Sequence, residues 1–133
     1  MSKLPHIGTS IFTVMSQMAA RCNAINLSQG FPNFPIDERL TALVSKHALA
    51  NVHQYQPSAG NPKLLQQIAK LIADSYQRNV NPETEILVTA GATQGIFTAI
   101  QALVGPNNEV VVLDPCYDSY ETPIILAGAK PVH

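Results

Sequence analysis

Two short stretches of this chain carry residue types that can do chemistry. The first, Thr89-Ala90-Gly91-Ala92-Thr93-Gln94-Gly95, sets small residues and hydroxyls between an apolar run and a helical pattern. Small residues let the backbone approach a ligand closely, the first N–H groups of a helix lack intrahelical acceptors, and the helix dipole favours an anion there. The chemistry indicated is phosphate binding, with the Thr93 hydroxyl as an additional donor. The same letters also suit a tight turn closed by a capping hydroxyl, and at this level both readings stand. The stretch is neither a G-x-G-x-x-G fingerprint nor a G-x-x-x-x-G-K-[ST] loop, so dinucleotides and nucleoside triphosphates lose ground.

The second stretch, Asp114-Pro115-Cys116-Tyr117-Asp118-Ser119-Tyr120, follows an apolar run. Ligands of open parallel sheets collect beyond the carboxyl ends of the strands. Tyr117, at such an edge, has the ring needed to stack on a flat heteroaromatic group, the alternative being a tyrosine of the core or rim. Other residues weigh less. Cys116 has no basic neighbour or evident histidine partner to activate it, and reads as a small packed residue. His6, His47, His53 and His133 lack ligand spacing, and no metal is expected. Of Asp114 and Asp118, one is expected to shape the turn and the other to begin the next helix.

The elements that must position these residues follow from periodicity. Thr9 or Ser10 is placed to cap a helix with Ile11, Phe12, Met15, Met18 and Ala19 on one face. Ile25-Asn26-Leu27 reads as a strand end that runs into the glycine and prolines of 28–35. Leu40, Leu43, Val44 and Ala48 predict a helix from Asp37 to about Ala50, with Asp37 and Glu38 at its positive end. Leu64, Leu65, Ile68, Leu71 and Ile72 predict another from Lys63 to Arg78, with Pro62 in its first turn. A buried strand at Ile86–Thr89, a helix from about Ala92 to Val104, a strand at Val110–Leu113, a helix toward Ala127 and a strand beginning at Lys130–His133 complete the pattern. This βαβα alternation with continuous apolar strands predicts an α/β fold, a parallel sheet covered on both faces. A sheet of so few strands leaves its edges unpaired, so the chain reads as the first part of a larger domain.

Composition narrows the partners. Eight basic and nine acidic residues, a net charge of −1 and 46% apolar residues describe an ordinary globular chain. No like-charge run suggests nucleic acid or an anionic membrane surface, and no stretch approaches the roughly 20 apolar residues of a membrane helix. Cys22 and Cys116 make a poor disulfide framework, and a cytoplasmic location is expected.

Four stretches together are more specific than any alone: Asn26-Leu27-Ser28-Gln29-Gly30-Phe31-Pro32, Tyr55-Gln56-Pro57-Ser58-Ala59-Gly60, Val88-Thr89-Ala90-Gly91-Ala92-Thr93-Gln94 and 114–120. In this order and at these separations they resemble successive blocks of the class I and II pyridoxal-phosphate-dependent aminotransferases, nearest to the methionine, kynurenine and glutamine transaminases. The resemblance implies the N-terminal part of the aspartate-aminotransferase-like (fold type I) large domain: a mainly parallel sheet flanked by helices, with an N-terminal arm. It implies residues 1–35 as arm and substrate-side loop and 36–133 as the beginning of the cofactor-binding domain. Pyridoxal 5'-phosphate is the implied cofactor, held by Gly91, Ala92 and Thr93 at its phosphate and by Tyr117 against its ring. Tyr55 matches a tyrosine that reaches the phosphate of the partner subunit's cofactor, which implies a homodimer with isologous contacts. The alternative for Tyr55 is an aromatic anchor of the 57–62 turn. Gly30 matches the glycine whose backbone lies against the substrate carboxylate.

The substrates implied are an amino acid, methionine or an aromatic or apolar one, and a 2-oxo acid. None of Lys3, Lys46, Lys63, Lys70 and Lys130 falls in a matching block. The Schiff-base lysine is therefore expected beyond His133, no catalytic residue is assigned within the chain, and the 133 residues are expected to be inactive alone. Alternatives are a β-lyase on the same fold, a non-catalytic effector-binding domain of this type, and a truncated reading frame.

Overall fold

In a computed structural model of the chain, residues 4–5 and 7–133 are described; Lys3 and His6, named above, lie outside them. The chain divides into two compact units, one over Gly8–Tyr55 and one centred on Gln56–His133.

The first unit holds helix α1 (Ile11–Arg21) and helix α2 (Glu38–Ala48). Ser10 occupies the N-cap of α1 without a side-chain hydrogen bond, and Asn23, in the left-handed region at φ 47°, turns the chain away after its end. At α2 the expected acidic start is realised in detail. The Asp37 carboxylate accepts from the Arg39 backbone N–H at 2.8 Å and from the Arg39 guanidinium at 2.9 and 2.7 Å. This satisfies one of the first-turn donors that the helix cannot satisfy itself. Between the helices the chain is irregular, and the strand end expected at Ile25-Asn26-Leu27 is not formed. Ile25 and Leu27 are almost fully exposed, so neither a strand partner nor a core draws that segment straight.

The second unit opens with helix α3 (Pro62–Tyr76), capped by Asn61, whose side chain accepts from Lys63 N–H at 2.9 Å. Pro62, with its fixed φ and missing N–H, suits that first turn, and the helix ends one residue before Gln77 at φ 53°. Helix α4 (Ala92–Leu103), strand β1 (Glu109–Val111), helix α5 (Glu121–Leu126) and strand β2 (Lys130–Val132) follow. β1 and β2 pair in parallel, Val110 opposite Pro131, and α5, which connects them, packs on α4 and β2. The ladder extends past β1 through Val112 N–H to Val132 C=O at 2.8 Å.

Two expectations change here. Ile86–Thr89 is not part of a ladder; Val88 N–H bonds instead to Ala59 C=O at 2.9 Å. A strand needs a neighbour's edge, and no described segment offers one to these residues. The sheet is also covered on one side only. The core is Leu65, Val112 and Ile124, while Val111 and Leu113 on the other side are 74% and 82% exposed. Alternation sends neighbouring residues to opposite faces, and only one face meets α5. The last helix begins at Glu121, which supplies its first-turn acid, so Asp118 precedes the helix rather than opening it. Among the described residues no helix is long and apolar enough to cross a membrane.

Candidate functional site

The turn before α4 is built by its own small residues. Gly91 is the N-cap, with φ 85° and ψ 163°, a conformation that is essentially restricted to glycine. A Cβ placed there would meet nothing within 4 Å, so the requirement for glycine comes from the backbone and the space in front of the turn is open. Thr89 Oγ1 donates to Gly91 C=O at 3.0 Å, and the Gln94 side chain reaches back to accept from Ala90 N–H. Gln94 stands three residues after the cap, the position from which a capping box closes, and that spacing was the available signal for its role. The cap offers no side-chain acceptor to the first turn. Ala92 and Thr93, both exposed, open the helix with N–H groups that precede any intrahelical acceptor. Backbone donors, an added hydroxyl and the positive helix end form a donor set that fits a phosphate.

Tyr117 lies in the segment between β1 and α5, within the same compact unit as the turn. Tyr117 is 44% exposed, and its ring meets Tyr120 edge-on, with centroids 5.8 Å apart and planes at 79°. Tyr120 N–H donates to Tyr117 C=O at 3.1 Å, which closes the turn that leads into α5. Asp114 and Pro115, joined by a cis peptide bond, precede it. His133, beyond β2, brings Nδ1 to 3.2 and 3.0 Å from the Asp114 carboxylate oxygens and Nε2 to 3.9 Å from Glu121. No spacing rule pointed to this pair, since the partners are 19 residues apart and meet only through the strand register. Partial desolvation, then the Asp114 carboxylate and the more distant Glu121, push the Cys116 thiol above its ordinary range. Cys116 is exposed rather than packed, because the segment between β1 and α5 runs over the surface; what lowers its reactivity is that partial desolvation together with the nearby negative charge. Among the described residues no cluster of histidine, cysteine or carboxylate side chains could hold a metal.

Gly30 and Tyr55 belong to the other unit. Gly30 is exposed, with nothing within 4 Å of a Cβ position. Tyr55 is fully exposed. Upstream of Gly30, Asn26 Oδ1 accepts from the backbone N–H and hydroxyl of Ser28, at 3.0 and 2.6 Å, while Asn26 Nδ2 donates to Ser16 on α1 at 3.0 Å. This small network fixes the approach to Gly30 against α1, and sequence reasoning had not singled it out.

The sequence profile of the family described as "Aminotransferase class I and II" matches residues 23–133. The methionine aminotransferase of Escherichia coli is 43% identical over 127 residues, covering 96% of this chain and 33% of that protein. A rat kynurenine–oxoglutarate transaminase is 35% identical over 131 residues, covering 98% of this chain and 29% of that protein. The structure of an N-succinyldiaminopimelate aminotransferase from Mycobacterium tuberculosis superposes with a TM-score of 0.91 at 37% identity, over 99% of this chain and 34% of its own. The chain thus spans about a third of the length of the relatives it matches.

Proposed function

Because the chain belongs to the class I and II aminotransferases and has their fold, we propose that the whole protein transfers an amino group from an amino acid to a 2-oxo acid with pyridoxal 5'-phosphate. The observation that carries this reading is the glycine-only backbone at Gly91 opening α4, a turn suited to a phosphate and followed in the same unit by an exposed tyrosine. The cofactor, when bound, supplies an electron sink for chemistry at the amino acid's α-carbon. Gly91, Ala92 and Thr93 would hold its phosphate, and Tyr117 would cover one face of its ring, excluding water there and fixing its plane.

Gly30 would place its backbone against the substrate carboxylate, within residues 1–35 as the arm and substrate-side loop; residues 36–133 begin the cofactor domain. Tyr55, fully exposed on its own unit, would serve the site of a second copy in a homodimer. The relatives named for methionine and kynurenine support an apolar or aromatic amino donor. The free thiols Cys22 and Cys116 support a reducing, cytoplasmic location. The 133 residues alone would bind phosphate or cofactor weakly and would not turn over.

The test is a panel of amino donors, methionine and aromatic amino acids among them, mixed with the complete protein loaded with cofactor. Conversion of the cofactor to its aminated form, reversed by a 2-oxo acid, is expected. Release of ammonia with no need for an acceptor would favour a lyase instead, and no response to any donor would leave an effector-binding role. Borohydride should trap the cofactor on a single lysine of the complete protein and on none of the 133-residue chain.

A further inference from the structure

We propose that His133 is a positioning residue for Tyr117, tying the end of β2 to both ends of the segment that carries that ring. The proposal rests on the reading of Tyr117 as the ring that stacks on the cofactor. The segment runs from Asp114 to Glu121, with Tyr117 near its middle. At its start, the Asp114 carboxylate faces His133 Nδ1 at 3.2 and 3.0 Å; at its end, Glu121 Oε1 lies 3.9 Å from Nε2 of the same ring. One rigid imidazole therefore holds the start of the segment at hydrogen-bond distance and lies within ion-pair range of its end. Protonated histidine presents two N–H donors on opposite edges of a planar ring, which neither a lysine nor an amide side chain does.

The connection is not local. β1 and β2 pair in parallel with Val111 opposite Val132, and that register delivers the next residue, His133, to the level where the chain leaves β1 toward Asp114. Inside the segment, the Tyr120 N–H bond to Tyr117 C=O and the edge-on contact of the two rings keep the aromatic pair together. His133 adds to those internal contacts a tie between the segment and the end of β2.

The three side chains are about half exposed, so neither contact adds much to overall stability. Their effect belongs to preorganisation: a ring already held in place costs less to order when a flat ligand stacks on it.

The experiment uses the complete protein in six forms: unaltered, His133→Leu, Tyr117→Leu, the double variant of these two, His133→Asn and Asp114→Ala. Binding of pyridoxal 5'-phosphate and, separately, of inorganic phosphate is measured on each. His133→Leu should weaken pyridoxal 5'-phosphate about two- to five-fold, the range of an exposed charge pair, and leave inorganic phosphate unchanged. In the Tyr117→Leu background the same substitution should add nothing. His133→Asn, which keeps a donor near the Nδ1 position, should recover part of the loss, and Asp114→Ala should reproduce it from the other side. An equal loss in both backgrounds, a parallel loss of inorganic phosphate, or no loss would overturn the proposal. If Tyr117→Leu itself leaves pyridoxal 5'-phosphate binding intact, the reading of Tyr117 fails first, and the role of His133 falls with it.

Discussion

Replacing Gly91 by alanine isolates the backbone from every other contribution to the turn proposed to hold the cofactor phosphate. At φ 85° and ψ 163°, Gly91 occupies a region that an L-residue enters at a cost of about 1–3 kcal/mol. The added methyl meets nothing within 4 Å, so no steric clash contributes and the whole effect is conformational. That strain has two places to appear. If the native turn persists without ligand, folding stability falls by the full amount and affinity is unchanged. If the turn relaxes, stability is spared, the first-turn N–H groups of Ala92 and Thr93 swing off the anion, and binding must restore them. Cofactor affinity then falls by up to about 5- to 150-fold, the equivalent of the same 1–3 kcal/mol. Thermal melting of the cofactor-free protein together with titration of pyridoxal 5'-phosphate measures both parts, and their sum is the predicted quantity. Gly30→Ala is the control. Its surroundings are equally open and its backbone is outside the left-handed region, so stability should move by less than about 0.5 kcal/mol. If Gly91→Ala changes neither stability nor affinity beyond the Gly30→Ala control, the conformational argument is wrong.

Three further outcomes are expected. Ile124, 1% exposed where α5 packs, should cost about 2–5 kcal/mol as Ile124→Ala and only about 0.5–1.5 as Ile124→Val; similar values by denaturant unfolding would mean that the site collapses or is not core. The Arg39 guanidinium, and then its backbone N–H, hold the Asp37 carboxyl below its ordinary value, so the cap of α2 is fully present above the unfolded carboxyl pKa of about 3.9 and is lost as pH falls through the lower folded value. The Arg39 amide resonance should therefore stay constant down to that range, and a shift already near neutral pH would contradict the pairing. Cys116, held protonated by partial desolvation and the Asp114 and Glu121 carboxylates, should be alkylated by iodoacetamide at mildly alkaline pH several-fold more slowly than free glutathione, and faster in Asp114→Asn; equal rates would remove the electrostatic account.

How much of this was legible in the letters depends on the range of the interaction. The starts of α2 and α3 were readable because Asp37 and Pro62 act on the first turn beside them, whereas the Asn61 cap of α3 emerged only with the structure. The small-residue turn before α4 was readable for the same reason, since Gly91, Ala92 and Thr93 are consecutive and the conformation is local to them. The Asp118 expectation failed by three residues, because Tyr120 N–H is drawn back to Tyr117 before α5 can begin. Ile86–Thr89 has the composition of a strand, yet composition cannot supply the edge on which a strand depends.

By itself, then, the sequence determined the helices, the acidic start of α2, the small-residue turn and the family, all of which arise from neighbours along the chain or from blocks of adjacent residues. Tertiary structure alone decided that β1 pairs with β2 in a register that sets His133 beside Asp114, that Tyr120 meets Tyr117 edge-on, and that one face of the sheet is covered while Val111 and Leu113 stay open. The physical reason is that local hydrogen bonds and capping act within a few residues, whereas strand register and burial are settled only when distant segments meet and compete for the same donors and the same apolar surface.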